Sequence, residues 1–312
     1  MDTGGIARFA RARRDFMRNK LLYLMLIPAT AYVLVFSYIP MGGLVIAFKN
    51  YNYQAGIWGS AWVGFQNFRF LFLSNKLWFL TRNTLLYNLT FITIGMLLEV
   101  SFAIMINELG SKYFKKFFQS FMFLPYFISW VVVAAILQVV FGYEVGLLNN
   151  FIEAMGGERF NIYSSAKYWP FLLVLFRVWK STGYGSIIYL ATITGIDQEL
   201  FDAASIDGAN IWQKTRYITF PCLTQTMIIM FLLALGQAFR GDFGMFFQLI
   251  GSNAQVLETT DILDLFIYRA LASTADIGMA SAAGLYQSVL CFVTIMVVNG
   301  VIKKTRPDYS LF

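Results

Sequence analysis

The chain has 312 residues, 58% of them hydrophobic and only 13% charged, with 24 Lys and Arg against 17 Asp and Glu and a formal net charge of +7. A soluble domain carries about 25% charged residues, so the polar residues here are too few to cover a globule of this size, and the same balance excludes intrinsic disorder. With no His and only Cys222 and Cys291, a His-based triad, a zinc site and a disulfide scaffold are all excluded, and the composition is that of an integral membrane protein.

The first segment, residues 1–20, carries Arg8, Arg11, Arg13, Arg14, Arg18 and Lys20. It reads as a topology anchor, or as an amphipathic helix lying on the membrane with Phe9, Phe16 and Met17 in lipid. The apolar run behind it is too long for the core of a cleavable signal peptide. A bilayer core of about 30 Å takes roughly 20 apolar residues per helix, and six runs reach or approach that length: 21–48, 84–106, 117–141, 171–195, 223–239 and 279–302. The fifth is the shortest and contains Gln225 and Gln237. The stretch 243–250 is apolar but too short to span, and reads as a re-entrant turn or an extension of the fifth helix.

Basic residues set the orientation. With the first tail cytoplasmic, Lys112, Lys115, Lys116, Lys214, Arg216, Lys303, Lys304 and Arg306 fall on the same side. Fewer cations fall opposite: Lys49, Arg69, Lys76, Arg82, Arg159, Lys167, Arg240 and Arg269. The expected fold is therefore an all-α polytopic membrane protein with six transmembrane helices and both termini cytoplasmic. It divides into a basic tail at 1–20, a membrane domain at 21–302 and a C-terminal tail at 303–312. The positive charge is explained by this topology and needs no nucleic acid.

The loop between the fourth and fifth runs, residues 196–221, has its own design. Asp197 is placed to cap a helix over 198–206. Ala203 and Ala204 offer a flat face for close approach by another protein, and Gly208 permits a positive-φ turn. Asn210 is placed to cap a second helix over 211–219, and Pro221 marks entry to the next span. Leu200, Phe201, Ile206, Ile211 and Trp212 are apolar residues in a polar compartment, which calls for a partner surface. No G-x-x-x-x-G-K-[ST] stretch is present, so any ATP is bound by another subunit.

The run Asp202-Ala203-Ala204, Asp207-Gly208-Ala209, followed by Ile218 and Pro221, resembles the EAA coupling loop of permease subunits in binding-protein-dependent ABC importers, whose pattern is E-A-A-x-x-D-G-A with I-x-x-P following. The resemblance extends along nearly the whole chain through YIPMGGLVIAFKNYN (38–52), GIWGSAWVGFQNF (56–68), LPYFISWVVVA (124–134), WKSTGYGSIIYLATITGI (179–196) and SAAGLYQSV (281–289). It is closest in kind to the polysaccharide-type carbohydrate permeases, related to the maltose transporter permeases. Asp202 stands where the family usually has Glu, and Thr215 where Phe is common.

The resemblance implies a bacterial plasma-membrane importer for oligosaccharide or polysaccharide fragments. Its partners would be a second, homologous but non-identical permease, a dimer of ATP-binding subunits that hold ATP and Mg, and an extracytoplasmic solute-binding protein. The chain itself would be no enzyme and hold no cofactor or metal. Residues Asp202, Ala203, Ala204, Asp207, Gly208, Ala209, Ile211 and Trp212 would dock on the ATPase, whose closure drives alternating access. A permease for another solute, or an ion-coupled secondary carrier, is the alternative. The latter is expected to show internal repeats and a coupling carboxylate at mid-depth, neither of which is evident.

Ionisable residues inside spans are costly and are functional candidates. Glu99 lies in the cytoplasmic half of the second span, where the plainer reading is a hydrogen bond to a neighbouring helix. Arg177 and Lys180 lie one turn apart in the outer half of the fourth, too far in depth from Glu99 to pair with it. Arg240 follows the fifth, with Asp242 placed to neutralise it. Arg177, Lys180 and Arg240 at an outer mouth suit an anionic glycan; alternatively they snorkel or pair with the second permease. Neutral sugars would instead stack on Tyr184, Trp179 or Tyr286 and bond to Asn88, Gln237 or Gln287. Trp58, Trp62 and Phe65 read as interfacial anchors. Glu144, Glu153, Glu158, Glu258, Asp261 and Asp264 make the outer loops acidic, a surface for the binding protein.

Overall fold

The computed structural model describes residues 17–73, 76–305 and 307. The expectations for the basic tail up to residue 16, and for Arg306 and 308–312, lie outside the described residues. The architecture is helical, apart from a ribbon of two short antiparallel strands, β1 (Lys49–Asn50) and β2 (Ala61–Trp62).

Helix α1 (Lys20–Val33) runs on through a π-turn (Leu34–Tyr38) and a 3-10 segment (Ile39–Phe48) to make one 29-residue apolar rod. No residue of Lys20–Val33 is buried, as suits a helix facing lipid. The π-turn lies just before Pro40. Proline offers no N–H and its ring collides with the carbonyl four residues back, so the helix widens there rather than breaking. Trp58, Trp62 and Phe65, the expected interfacial anchors, are exposed around the ribbon.

Helices α2 (Gln66–Leu73) and α3 (Lys76–Glu108) follow. The third expected span is not straight. Helix α4 (Lys112–Phe123) ends in a 3-10 turn (Leu124–Phe127), and α5 (Trp130–Phe141) leaves it at 93°. The break falls in the P-Y-F-I-S segment, where Ser129 accepts from Val132 N–H to start α5. Helix α6 (Leu147–Ala154) and the 26-residue α7 (Trp169–Thr194) come next, then α8 (Gln198–Ile206), α9 (Ile211–Lys214) and α10 (Phe220–Leu235). The chain ends with α11 (Phe243–Ile250), α12 (Leu263–Ala272) and α13 (Ile277–Thr305).

Among the described residues, four helical stretches are long and apolar enough to cross a membrane: Lys20–Phe48, Lys76–Glu108, Ile211–Leu235 and Ile277–Thr305. The bent pair is a fifth candidate. Helix α7 occupies the place of the expected fourth span and is as long as a crossing requires, but it carries Arg177 and Lys180 and is not among them. The stretch 243–250 is not a continuation of α10. It is a separate helix, α11, capped by Asp242 and buried through Met245, Phe246, Leu249 and Ile250.

The pair α3 and α7 forms the backbone of the packing. Glycine allows close approach on two sides of α7: a Cβ at Gly185 would overlap the Glu99 carboxyl group of α3, and one at Gly183 would overlap the Met122 carbonyl of α4. At the end remote from the 196–221 loop, Val133, Leu137, Trp169, Leu173, Met245, Phe246 and Ile262 make one apolar core. At the loop end, Val100, Ala103, Tyr189, Ile193 and Leu223 make another.

Two of the acidic residues of the expected outer loops are engaged within the chain, Asp261 buried and Asp264 half-buried. Asp261 is 3% exposed and forms an ion pair with Arg269. Asp264 accepts from Gly241 N–H at 2.7 Å and from Gln287 Nε2 at 2.9 Å. Glu144, Glu153, Glu158 and Glu258 remain exposed. Ile262, which precedes α12, and Leu263, Phe266 and Ala270 of the helix are buried, a stripe that draws its first turn into the core.

Candidate functional site: an exposed helical knob and a cavity between three helices

The 196–221 loop folds as its residues dictate. Asp197 accepts from Glu199 N–H at 3.0 Å and caps α8. Gly208 turns the chain at φ +78°, with open space where a side chain would stand, so the requirement for glycine is conformational. Asn210 and Gln213 form a reciprocal capping box at 2.9 and 2.8 Å. Lys214 Nζ donates to Ser205 Oγ at 2.7 Å, and Ala209 N–H to the Ala204 carbonyl at 2.8 Å, so α8 and α9 form one unit. Asn210→Ala is expected to destabilise the start of α9 by about 1 kcal/mol, read as faster amide exchange at 211–214 with the rest of the chain unchanged.

The surface of this unit is apolar and open. Trp212 is 82% exposed and Ile206 87%, with Leu200, Ile211 and Tyr217 also exposed. Asp202, Ala203, Asp207 and Gly208 lie on the outside, while Ala204 and Ala209 are half-buried against the turn. The second helix does not stop at 219. A π-turn over Thr215–Thr219, again just before a proline, carries α9 into α10, giving a 25-residue helix from Ile211 to Leu235. The knob is thus the end of a rod that enters the membrane domain, about 37 Å long at 1.5 Å per residue.

The other end of that rod lines a cavity of about 490 Å³ between α3, α7 and α10. From α10 and the following linker come Met230, Phe231, Ala234, Gln237, Arg240 and Asp242; from α3, Asn88, Phe91, Met96 and Glu99; from α7, Arg177, Ser181 and Tyr189. The cavity extends from Asn88 to Glu99 along α3, about 16 Å.

Of the residues expected on a substrate path, Arg177, Asn88, Gln237 and Arg240 meet here, and Lys180, Tyr184 and Gln287 do not. Lys180 donates to the carbonyls of Pro125 at 3.3 Å, Tyr126 at 2.7 Å and Ile128, and so closes the open end of the broken α4. Tyr184 stacks on Tyr126 at 4.3 Å beside it. Arg177, not Arg240, pairs with Asp242, Nε to Oδ2 at 3.8 Å. Glu99 sits level with Gly185, two turns of α7 away from Arg177, and no ion pair joins them.

Asn88 and Gln287 hold backbone. The linker 236–242 is irregular, and its polar groups need partners. Asn88 Nδ2 donates to the carbonyls of Ala238 at 2.9 Å and Arg240 at 3.0 Å, and Gln287 Nε2 to that of Phe239 at 2.7 Å. With Asp264 taking Gly241 N–H, three helices fix the linker. Burial pushes the Asp264 carboxyl up from its ordinary value, against the pull of these hydrogen bonds. A second, more open cavity of about 770 Å³ lies on the other side of the linker, between Gly43 and Leu44 of the first rod, α12 and α13, and shares Arg240 and Gly241 with the first. Sequence reasoning placed Asp242 beside Arg240 where the structure pairs it with Arg177, and missed Asp264 as part of this arrangement. The stripe in α12 was the available signal for Asp264, and none marked the pairing of Asp242. No cluster of metal-ligating side chains occurs among the described residues.

Comparison with known proteins gives the family. Residues 92–307 match the family model of the binding-protein-dependent transport system inner membrane component. Protein LplB of Bacillus subtilis (strain 168) is 33% identical over 300 residues, covering 96% of this chain and 92% of its own length. The polygalacturonan/rhamnogalacturonan transport system permease protein YteP of the same organism is 33% identical over 288 residues, covering 92% and 89%. A crystal structure of a bacterial ABC transporter involved in the import of the acidic polysaccharide alginate contains a chain 31% identical, with a TM-score of 0.85 over 95% of this chain and 99% of that one. A bacterial alginate ABC transporter in complex with an alginate pentasaccharide-bound periplasmic protein gives a TM-score of 0.84 at 31% identity, over 94% and 97%. With two thirds of its length in the family model and relatives aligned nearly end to end, the chain belongs to the inner membrane components of binding-protein-dependent transport systems.

Proposed function

We propose that this chain is the permease subunit of an ATP-driven importer of oligosaccharide or polysaccharide fragments, coupled to its ATPase through the 196–221 loop. The observation that carries the reading is the continuity of one rod, from the exposed Ile211 and Trp212 to the cavity wall at Met230 and Ala234. A docked ATP-binding subunit that moves the knob moves that wall with it, which is the rigid-body coupling alternating access needs. The glycan class is supported by the names of the similar proteins.

In this reading six helices cross the bacterial plasma membrane, the bent pair and α7 included, with both termini and the knob cytoplasmic. The membrane domain extends over 21–302, flanked by cytoplasmic tails at 1–20 and 303–312. ATP and Mg are held by the partner ATPase dimer. A second, non-identical permease completes the path, and an extracytoplasmic binding protein docks on the outer loops and delivers the glycan; the similar transporter in complex with its periplasmic protein supports such a partner.

The test is uptake by proteoliposomes holding the whole complex, with binding protein outside and ATP inside. Glycan accumulation that needs ATP and binding protein is expected. Accumulation driven by a proton or sodium gradient without ATP contradicts the reading.

A further inference from the structure

The three cations expected at one mouth are not equivalent. Lys180 is engaged by three carbonyls at the break between α4 and α5. Arg177 is paired with Asp242. Arg240, among the described residues, has neither an ion pair nor a side-chain hydrogen bond, although two carboxylates lie close by. Asp242 is occupied with Arg177 and with the Met245 N–H, and Asp264 with Gly241 and Gln287. The Arg240 side chain is exposed and lines both cavities.

The backbone beneath it is held unusually well for an irregular segment. Asn88 grips the carbonyls on either side of Phe239, Gln287 grips Phe239 itself, and Asp264 grips the next N–H. Irregular backbone keeps one shape where its polar groups find partners, and these side-chain hydrogen bonds supply them while the segment lines both cavities. The Arg240 guanidinium is attracted to the nearby Asp264 carboxylate but makes no hydrogen bond to it, so its N–H donors stay open to a ligand in either cavity. A guanidinium on a fixed support matches a carboxylate through two parallel hydrogen bonds, a geometry that lysine does not reproduce.

Resting on the glycan-import reading above, we propose that Arg240 is the specificity-determining residue of this permease and recognises a sugar carboxylate, making the substrate a uronate-containing oligosaccharide. Gln237, one turn earlier and exposed in the same cavity, faces the sugar hydroxyls. Asn88, Gln287 and Asp264 are positioning residues that set where the guanidinium stands.

The test uses the complete complex in proteoliposomes with two probes of equal length, tetragalacturonate and its fully methyl-esterified form. Arg240→Gln is expected to lower tetragalacturonate uptake tenfold or more and to lower the acid-to-ester ratio, with Arg240→Lys intermediate. Lys180→Met, which acts on the bend, is expected to lower both probes alike. Wild-type rates of tetragalacturonate uptake in Arg240→Gln overturn the proposal. So does an equal loss of both probes, or loss of the second permease when that variant is purified. A wild-type complex that imports neutral oligosaccharides but not tetragalacturonate overturns the carboxylate proposal and leaves the glycan reading standing, whereas one that imports no glycan of either charge overturns both.

Discussion

Replacing Gly208 with proline is expected to reduce ATP-driven uptake a hundredfold or more while leaving the membrane domain folded. Gly208 sits at φ +78°, and proline is locked near −65°, so the turn between α8 and α9 cannot form and the two halves of the knob lose their register. Nothing lies within 4 Å of where a side chain at 208 would stand, so the damage is confined to the turn. Ala203→Arg tests the same surface by another route: it keeps the turn and adds bulk to an exposed face of α8. Both variants are expected to insert and purify, to fail to stimulate the ATPase, and to leave glycan outside the vesicle. Uptake within twofold of wild type in either would mean that the knob is an ordinary connector.

Gly183→Leu is expected to act on stability. The Cβ would overlap the Met122 carbonyl oxygen, which is backbone and has no rotamer to change. Either α7 moves off the end of α4, or the turn at Leu124–Phe127 gives way, taking with it the carbonyls that Lys180 holds. Overpacking of this kind costs about 3 kcal/mol or more, read as a lowered melting temperature and poor recovery of the purified complex. Gly300→Ala is the control. It lies on α13 with nothing within 4 Å and should be neutral or stabilising by up to about 1 kcal/mol. Equal behaviour of the two variants would remove the close approach of α7 to α4 as a determinant of the fold.

What the sequence showed well was local. Asp197, Gly208 and Asn210 each act within four residues, so caps and turn could be placed from the chain alone, and both short helices of the 196–221 loop start where they were expected. Helix existence was legible for the same reason. The bend between α4 and α5 was not, because the apolar run passes through it without a change of composition. The widened turns before Pro40 and Pro221 were not legible either; Pro221 reads as an entrance, yet the helix passes through it.

Polar residues at depth were found, but their partners were not. Asn88, Gln287 and Lys180 look alike in sequence to residues that face a solute, since both kinds are polar residues in apolar runs. Which of them supports broken backbone depends on helices from distant parts of the chain coming together. Asp261 and Asp264 lie in a loop by position, and only the packing around α12 gives them their partners, Arg269 for Asp261 and Gly241 and Gln287 for Asp264.

If the 196–221 loop joins this chain to an ATPase, the joint can be captured by crosslinking. The most direct measurement is purification of the complex from native membranes in mild detergent, with a crosslinker-bearing cysteine at Ala203. Mass spectrometry of the crosslinked product and an ATPase assay follow. The account predicts an ATP-binding subunit joined at position 203, a second permease in the same particle, and ATPase activity. Repeated recovery of the chain alone, uncrosslinked and without ATPase activity, would contradict it.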